Sequence, residues 1–554
     1  MKEGDFLLST EVLSPKRIYR GTIYSDSAHP VTGTEIYLQQ TNRAIEVING
    51  DFLIVSEPKR AELRTYFCTA TQIEESPLYV RNPDSMVFLT RRLEAENRDL
   101  ADVGDLPEAR RETKIVIKAR IHRTREQNTI TGPGYRPSSV GMFREPAASE
   151  IEAFLNVPLE GFPLFLVRSN GELYRDSTDQ HSIVKIDIKA PLTGMLAVGS
   201  PGSGKTMFNG ALAWWYSTQN WACILINNKA DDLLYLDQKA QYYDPKWKAL
   251  GWQPEGVKDF QVIFPKLNGC SRTSGKLIPF SFDAEALQPE ALTALIEFSE
   301  RGVMHLPHLF RHWKENSGGT IESFIDYLES GHRQGMYVSY AMRVKDRLIT
   351  RRIHSSTIDS AVSILQSYAD YFGDKGDMPP SDEIVKPGRV TVFDLSRADS
   401  TVSRLMIQHY LHEIRSLQRA RVTGEGNDLV PTLFEVDEAH QYFKRYSNDE
   451  MSREIERELE THIKLSRSLK VATLLASQLG SELHPAANRL ATVKMILRSD
   501  RTEVKALGIP LNDSELAAVE AFSPGMAQLR DGFRMKVPLY VRVPMSPAQV
   551  RGET

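Results

Sequence analysis

Hydrophobic and polar positions follow two different patterns along the chain. From about residue 6 to 125, short alternating runs such as Glu35–Leu38, Phe52–Val55 and Lys114–Ala119 are separated by Gly, Pro, Asn and Asp, which is typical of a small β-rich domain. The segment Thr131–Ser139, rich in Gly, Pro and Ser, indicates a loop. We therefore predict a β-rich, barrel-like domain over residues 1–150, with the junction between about 130 and 185.

Beyond the junction, strand-like and helical runs alternate, which predicts a mostly parallel sheet covered by helices, an α/β domain, over residues 185–545. The predicted strands are Met195–Val198, Cys223–Ile226, Val390–Leu395, Leu433–Val436, Val471–Leu475 and Lys494–Leu497. Between the second and third strands the apolar spacing is helical, which predicts a helical subdomain inserted at 280–385. That spacing is carried by Ile321, Phe324, Ile325 and Leu328, and then by Ile358, Ala361, Val362 and Leu365.

A phosphate-binding loop follows the first of these strands. The run is Gly199-Ser200-Pro201-Gly202-Ser203-Gly204-Lys205-Thr206, and a helical run from Met207 to Tyr216 follows. In this context the backbone N–H groups from Gly199 to Met207 are predicted to surround the phosphates of ATP, Lys205 to neutralise them, and Thr206 to bind Mg²⁺. The alternative is a glycine-rich turn with a surface lysine.

Two further strand ends carry candidate chemistry. Asp437 and Glu438 directly follow an apolar strand, so Asp437 is predicted to bind the metal and Glu438 to polarise the attacking water. Gln478 follows another apolar run and is predicted to touch the γ-phosphate or that water. Taken alone, the acids also fit a solvated strand end, and Gln478 also fits the start of a loop.

Composition restricts the class of protein. A chain of 554 residues with 41% hydrophobic and 25% charged residues is a globular protein of at least two domains. Three widely spaced cysteines argue against a disulfide framework and a zinc site, and no run approaches the roughly 18 apolar residues of a membrane span. These features predict a cytoplasmic protein without membrane contact.

The net charge is −4, so DNA binding requires a local concentration of cations. Two basic runs are candidates, although each also fits a solvated face of a helix or strand. The first contains Arg333, Arg343, Lys345, Arg347, Arg351 and Arg352, and the second contains Arg110, Arg111, Lys114, Lys118, Arg120, Arg123 and Arg125.

The order of these blocks resembles the HerA/FtsK superfamily of ATPases, and its HerA branch in particular. The resemblance covers most of residues 185 to 545 and rests on the phosphate loop, Val390–Ser396, Asp437–Gln441, Ser466–Val471 and Ala476–Gln478. It implies a RecA-like P-loop ATPase core, a preceding small barrel, and a closing segment at Phe522–Ala527. It also implies a homo-hexameric ring on double-stranded DNA, commonly with a nuclease partner, in end resection or anti-phage defence.

The chain departs from the family at two places. Relatives commonly carry an acid after the second strand, where this chain has Asn227, Asn228 and Lys229, and the segment before Arg467 lacks the usual glycine. Arg467 precedes the Gln478 strand and is predicted to act in trans on the nucleotide site of a neighbouring subunit. The alternative is that Arg467 caps its helix or pairs with Glu458 or Glu460.

The leading hypothesis is an ATP-driven DNA translocase or helicase that works with a nuclease or an NAD-degrading effector. The main alternative is an ATP-binding scaffold ring that assembles and gates such an effector. A membrane-coupling ATPase is disfavoured because the sequence lacks transmembrane spans.

Overall fold

The computed structural model describes residues 21–24, 32, 34–40, 47–48, 50–59, 62–77, 113–126, 129–133, 137, 142–175, 181–230, 232–289, 291–292, 300–344, 347–373, 377–424, 428–445, 459–461 and 463–551. The chain divides into two compact units. The first comprises Met1–Leu159, Leu164–Lys185 and Arg534–Arg542, and the second comprises Glu160–Pro163, Ile186–Phe533 and Val543–Thr554. No helix in the described part of the chain is both long and apolar enough to span a membrane.

The first unit is built on an antiparallel sheet. Its strands are β1 (Gly21–Tyr24), β2 (Glu35–Gln40), β3 (Phe52–Lys59), β4 (Glu62–Pro77), β5 (Thr113–Glu126), β6 (Thr129–Thr131) and β7 (Met142–Arg144). They pair in the order β1-β2-β5-β4-β3-β7, with β6 on β5. Leu53 and Val55 are buried opposite Cys68 and Tyr66, and Phe52 and Ile54 on the other face of β3 are buried as well. The predicted β-rich N-terminal region is confirmed.

Shorter elements complete this part of the chain. They are helix α1 (Ala148–Leu155) and strands β8 (Gly161–Leu166), β9 (Ile183–Asp187) and β22 (Pro538–Arg542). In the first unit, β22 pairs antiparallel with the end of β8, where Val541 lies opposite Leu166.

The second unit contains a large, mostly parallel sheet. Its strands are β10 (Met195–Val198), β11 (Ala222–Asn227), β12 (Asp259–Pro265), β13 (Leu277–Phe280), β17 (Arg389–Asp394), β18 (Thr432–Val436), β19 (Val471–Ser477), β20 (Val493–Leu497) and β21 (Met526–Asp531). Their order is β13-β12-β17-β11-β18-β19-β10-β20-β21. Neighbours from β13 to β20 are parallel, and β21 alone is antiparallel to β20.

The helices of the second unit lie between its strands along the chain. They are α2 (Lys205–Thr218), α3 (Trp247–Leu250), α4 (Glu300–Asn316), α5 (Ile321–Glu329), α6 (Ser355–Tyr368), α7 (Ser381–Ile384), α8 (Ser400–Val422), α9 (Ala486–Leu490), α10 (Arg501–Ala506) and α11 (Asp513–Ala521). Residues 463–469 are also helical. The predicted α/β fold, with a mostly parallel sheet and helices between its strands, is confirmed.

The order of the strands places the predicted site. Strand β19 lies between β10, which precedes the phosphate loop, and β18, which precedes Asp437. Strands β11, β18 and β19 are buried along their whole length, as expected for apolar runs inside a parallel sheet. Because parallel strands end at the same edge, the segments after Val198, Val436 and Ser477 converge there.

The inserted segment contains the predicted helices and also a small sheet. The residues predicted to form the apolar faces of two helices are buried in α5 and α6. Between these helices lie the antiparallel strands β14 (His332–Gln334), β15 (Tyr337–Val344) and β16 (Arg347–His354). The helical periodicity did not predict these strands. Their signal is the alternation of buried Val338 and Tyr340 with more exposed neighbours.

Candidate active site

The phosphate loop lies between β10 and α2, as its sequence predicts. Gly202 and Gly204 have φ values of 71° and 98°, which a residue with a side chain rarely adopts. A Cβ on Gly199 would come within 2.4 Å of Ser203 Oγ. No side chain caps the start of α2 at Gly204, so the first amides of the helix are available to an anion. The loop therefore has the glycine conformations and the uncapped helix start of a phosphate-binding loop.

The predicted closing segment contacts this loop directly. Gly525 N donates a hydrogen bond to Ser203 O at 2.9 Å. A Cβ on Gly204 would lie 2.9 Å from Gly525 N, so a side chain at Gly204 would separate the two segments. Arg498 Nη2 donates to Pro201 O at 3.2 Å. These contacts fix the loop to the segment that follows β20 and to the segment that precedes β21.

Two lysines and two carboxylates form a cluster beside the loop. Lys205 Nζ lies 3.6 Å from Asp437 Oδ1 and 3.4 Å from Glu438 Oε1. Lys229 Nζ lies 3.1 Å from Asp437 Oδ2 and also contacts Glu438 Oε1. Glu438 has a φ of 49°, a left-handed conformation that costs a residue with a side chain about 1–2 kcal/mol. The structure thus brings the predicted phosphate lysine to both predicted acids.

Burial and pairing set the ionisation of this cluster. Burial lowers the pKa of Lys205, and the two carboxylates only partly offset that effect. At Lys229 burial also disfavours the charge, but Asp437 and Glu438 outweigh it and raise the pKa. Burial alone would raise the pKa of Glu438, yet Lys205 and Lys229 bring it below its ordinary value. Glu438 is therefore ionised at neutral pH, as a general base must be.

Two further side chains meet Glu438. Gln478, directly after β19, donates from Nε2 to Glu438 Oε1, so it reaches the predicted catalytic acid. His440 Nδ1 lies 3.4 Å from Glu438 Oε2 and is hydrogen-bonded to Ser477 Oγ at 3.1 Å. Burial lowers the pKa of His440, which favours the neutral ring. Glu438 is therefore held at Oε1, whereas Oε2 faces His440 and accepts no hydrogen bond from the described residues.

The same residues fit a magnesium–nucleotide complex. Asp437 Oδ1 is buried and accepts no hydrogen bond from the described residues. Thr206 Oγ1 donates to Asp232 Oδ2 at 3.3 Å, and Arg551 Nε holds the other oxygen of Asp232 at 3.0 Å. The described residues contain no group of three or more Asp, Glu, His or Cys side chains placed to hold a metal alone. Mg²⁺ would therefore use Thr206, Asp437 and phosphate oxygens, the hard ligands that it prefers.

Arg467 lies away from this cluster. Its side chain is exposed on the helical stretch 463–469, and within the described residues it has no hydrogen bond or ion pair. Glu460, one of the two alternative partners, is paired with Lys464 at 2.6 Å. The other, Glu458, lies outside the described residues.

The basic runs lie on strands of the two units. Arg333 is paired with Asp359 at 2.8 Å, and Arg351 is hydrogen-bonded to His305 at 3.1 Å. Arg352 is exposed in β16, and Lys345 lies outside the described residues. In the N-terminal run, Lys118 is paired with Glu35 at 3.2 Å, while Arg110 and Arg111 lie outside the described residues.

Three residues at the site were not predicted from sequence, namely Lys229, Asp232 and His440. The first two follow β11, where the family pattern led us to look for an acid, and His440 follows the two predicted acids. The signal that points to all three is their position just after strands of a parallel sheet, since such ends share one edge.

Glu435 is expected to be uncharged in the folded protein. It is fully buried in β18, and burial, followed by the charge of Asp437, raises its pKa well above the ordinary value. The native state then keeps a proton that the unfolded chain releases above about pH 5. This contribution to stability is complete at lower pH and is lost as pH rises toward the folded-state pKa.

Glu435→Gln should remove that dependence, because glutamine has a similar shape and cannot ionise. From about pH 5 up to the folded-state pKa of Glu435, the free energy of unfolding of the variant should rise relative to the unmodified chain by up to about 1.4 kcal/mol per pH unit. Urea unfolding over this range measures the effect. Glu255→Gln, at a surface carboxylate paired with Lys258, is the control. Parallel pH profiles for the Glu435→Gln variant and the unmodified chain would contradict the assignment.

Comparison with known proteins gives matches that agree with this geometry. The chain is 22% identical over 276 residues to the DNA double-strand break repair helicase HerA of Saccharolobus solfataricus, covering 48% of this chain and 47% of that protein. It is 19% identical over 383 residues to HerA of Sulfurisphaera tokodaii, covering 67% and 68%. The chain thus spans about half the length of the first relative. No profile of a known protein family matches the sequence.

Two solved structures align with most of this chain at low sequence identity. VirB4 of Thermoanaerobacter pseudethanolicus aligns with a TM-score of 0.43 at 13% identity, covering 70% of this chain and 98% of its own. The plasmid coupling protein TrwB, bound to the GTP analogue GDPNP, aligns with a TM-score of 0.47 at 10% identity, covering 74% and 95%.

The strand order and the phosphate loop define an α/β core with a phosphate-binding loop at the edge of a mostly parallel sheet. The acids of β18 lie at the same sheet edge, and the sequence of this chain is similar to the HerA helicases.

Proposed function

We propose that the predicted ATPase domain, residues 185–545, hydrolyses ATP with Mg²⁺ and uses the energy to move duplex DNA. The observation that carries this proposal is the convergence of Lys205, Asp437, Glu438 and Gln478 at one edge of the parallel sheet. Phosphoryl transfer needs positioned cations, a metal ligand and a group that orients water, and these four side chains supply them.

Each residue has a defined role in this proposal. Lys205 and the start of α2 would hold the β- and γ-phosphates, and Thr206 and Asp437 would hold Mg²⁺, which would supply positive charge to the phosphates. Glu438 accepts a proton from the attacking water, and Gln478 orients Glu438 and that water. The closing contact of Gly525 with Ser203 keeps the loop in register with β20 and β21.

DNA as the substrate is supported by the names of the relatives, which are DNA repair helicases. We further propose a homo-hexameric ring that works with a nuclease or NAD-degrading effector. The test is ATP hydrolysis with and without linear duplex DNA. A translocase should be stimulated severalfold, whereas a scaffold ring that uses ATP only to assemble should give equal rates. Equal rates in a verified ring would overturn the translocase proposal.

We also propose that Arg343, Lys345 and Arg347 of the basic run from Arg333 to Arg352 contact DNA phosphates. Arg343 is near the end of β15 and Arg347 begins β16, with Lys345 between them. Replacing all three by glutamine should weaken duplex binding and reduce the slope of log affinity against log salt by up to about 3, since each phosphate contact contributes about 0.9. Fluorescence anisotropy at several salt concentrations measures this slope.

Arg333→Gln is the control for this prediction, because Arg333 already pairs with Asp359 and should contribute little to the slope. Hydrolysis of ATP without DNA reports whether the variants fold. If the triple variant keeps the slope of the unmodified chain, the run is a solvated face.

A further inference from the structure

We propose that Lys229 is a built-in counter-ion of the Asp437–Glu438 pair, which competes with the divalent cation and so determines how strongly nucleotide binding depends on metal. The inference rests on the proposed nucleotide-binding function. It assigns a positioning role to a residue that the phosphate-loop and acid motifs do not include.

The local backbone presents Lys229 to the acids. Asn227, the last residue of β11, is fully buried. Its side chain accepts from Lys229 N at 3.3 Å and donates to Lys229 O at 2.7 Å. The next residue, Asn228, donates from Nδ2 to Asp437 O at 3.2 Å. Two adjacent amides therefore fix the turn after β11 against the end of β18, and Lys229 extends from that turn.

More donors approach Glu438 Oε1 than one carboxylate oxygen can accept hydrogen bonds from. Glu438 Oε1 is approached by Lys205, Lys229 and Gln478, whereas a carboxylate oxygen offers about two lone-pair sites. A water that binds to Glu438 Oε1 must therefore replace one of these donors. Lys229 is the most exposed cation of the cluster, with 29% of its side chain accessible against 4% for Lys205. Lys229 is therefore the donor that can move away from Glu438 into solvent.

The charges of the cluster balance, because two lysines face two carboxylates. A metal ion approaching Asp437 meets the Lys229 ammonium only 3.1 Å from that carboxylate, and repulsion at such distances in a half-buried site is substantial. For ATP without a metal ion, Lys229 is favourable, because its charge offsets the two acids that would repel the phosphates of ATP. Removing Lys229 should weaken metal-free binding and strengthen the contribution of the metal.

The experiment measures the dissociation constant of N-methylanthraniloyl-ATP for the full chain in excess Mg²⁺ and in EDTA. For Lys229→Gln, the ratio of the EDTA constant to the Mg²⁺ constant should rise at least about tenfold over the unmodified chain. Both dissociation constants are measured on the same variant, so a reduced fraction of folded protein affects both equally and leaves their ratio unchanged. Lys229→Arg keeps the charge and should keep the ratio within a few-fold. Lys246→Gln, at a half-buried lysine whose partner is Asp244, should not change it.

The outcomes separate this inference from the proposed function. An unchanged ratio for Lys229→Gln overturns the counter-ion role while nucleotide binding stands. A lower ratio also overturns it, because it would mean that Lys229 assists the metal complex by touching phosphate. If the unmodified chain binds no nucleotide in either condition, the proposed function falls, and this inference with it.

Discussion

Glu438→Gln is expected to bind ATP and to hydrolyse it about 10²–10⁴-fold more slowly, which is the usual contribution of a positioned general base. The glutamine amide keeps the size of the side chain and its place beside Gln478 and His440, but it cannot accept a proton from water. Two nearby cations lower the pKa of Glu438, so the unmodified residue is a ready base at neutral pH.

Lys205→Ala should affect nucleotide binding as well as hydrolysis, unlike Glu438→Gln. Lys205 is buried at the start of α2, within 3.6 Å of both acids. Its loss removes the cation that holds the phosphates and leaves the carboxylates to repel them. Nucleotide affinity and hydrolysis should both fall. Binding of a fluorescent nucleotide and release of phosphate, measured on the same preparations, separate the two patterns.

Glu515→Gln is the matched control, because Glu515 is a part-buried glutamate paired with Arg530 at 3.1 Å in the same unit. It should hydrolyse ATP at the rate of the unmodified chain. Full hydrolysis by Glu438→Gln would remove Glu438 from the role of base and leave His440 as the nearest candidate.

Arg467→Ala is expected to abolish hydrolysis while leaving each phosphate site intact, with a loss of about 10³–10⁵-fold if the arginine stabilises the transferring phosphoryl group. Arg467 is exposed on the helical stretch before β19, so its guanidinium is available to a neighbouring subunit. A residue that acts in trans makes hydrolysis depend on assembly.

Subunit mixing tests this directly. Arg467→Ala subunits carry an intact phosphate loop, and Lys205→Ala subunits carry an intact arginine. In random rings mixed in equal amounts, about a quarter of the interfaces should combine both intact parts, so activity that neither variant shows alone should return. Lys464→Ala, at an exposed cation on the same stretch that pairs with Glu460, should remain active without mixing. If co-assembly is verified and activity does not return, Arg467 does not act in trans.

The sequence alone was sufficient where the signal is local. The phosphate loop needs its glycines, lysine and threonine at fixed spacing between one strand and one helix, and β10 and α2 begin and end accordingly. The faces of α5 and α6 were likewise predicted from apolar spacing, because helical geometry alone places residues three and four apart on one side.

Only the tertiary structure decided which strand ends meet. Residues 205, 229, 438 and 478 belong to segments far apart in sequence, and the parallel register of β10, β11, β18 and β19 brings them to one edge. The pairing of Lys229 with both acids could not be predicted, because it depends on this long-range register and on the turn fixed by Asn227. Strands β14 to β16 were missed because each strand needs a second strand to satisfy its backbone hydrogen bonds, whereas a helix is satisfied within its own segment.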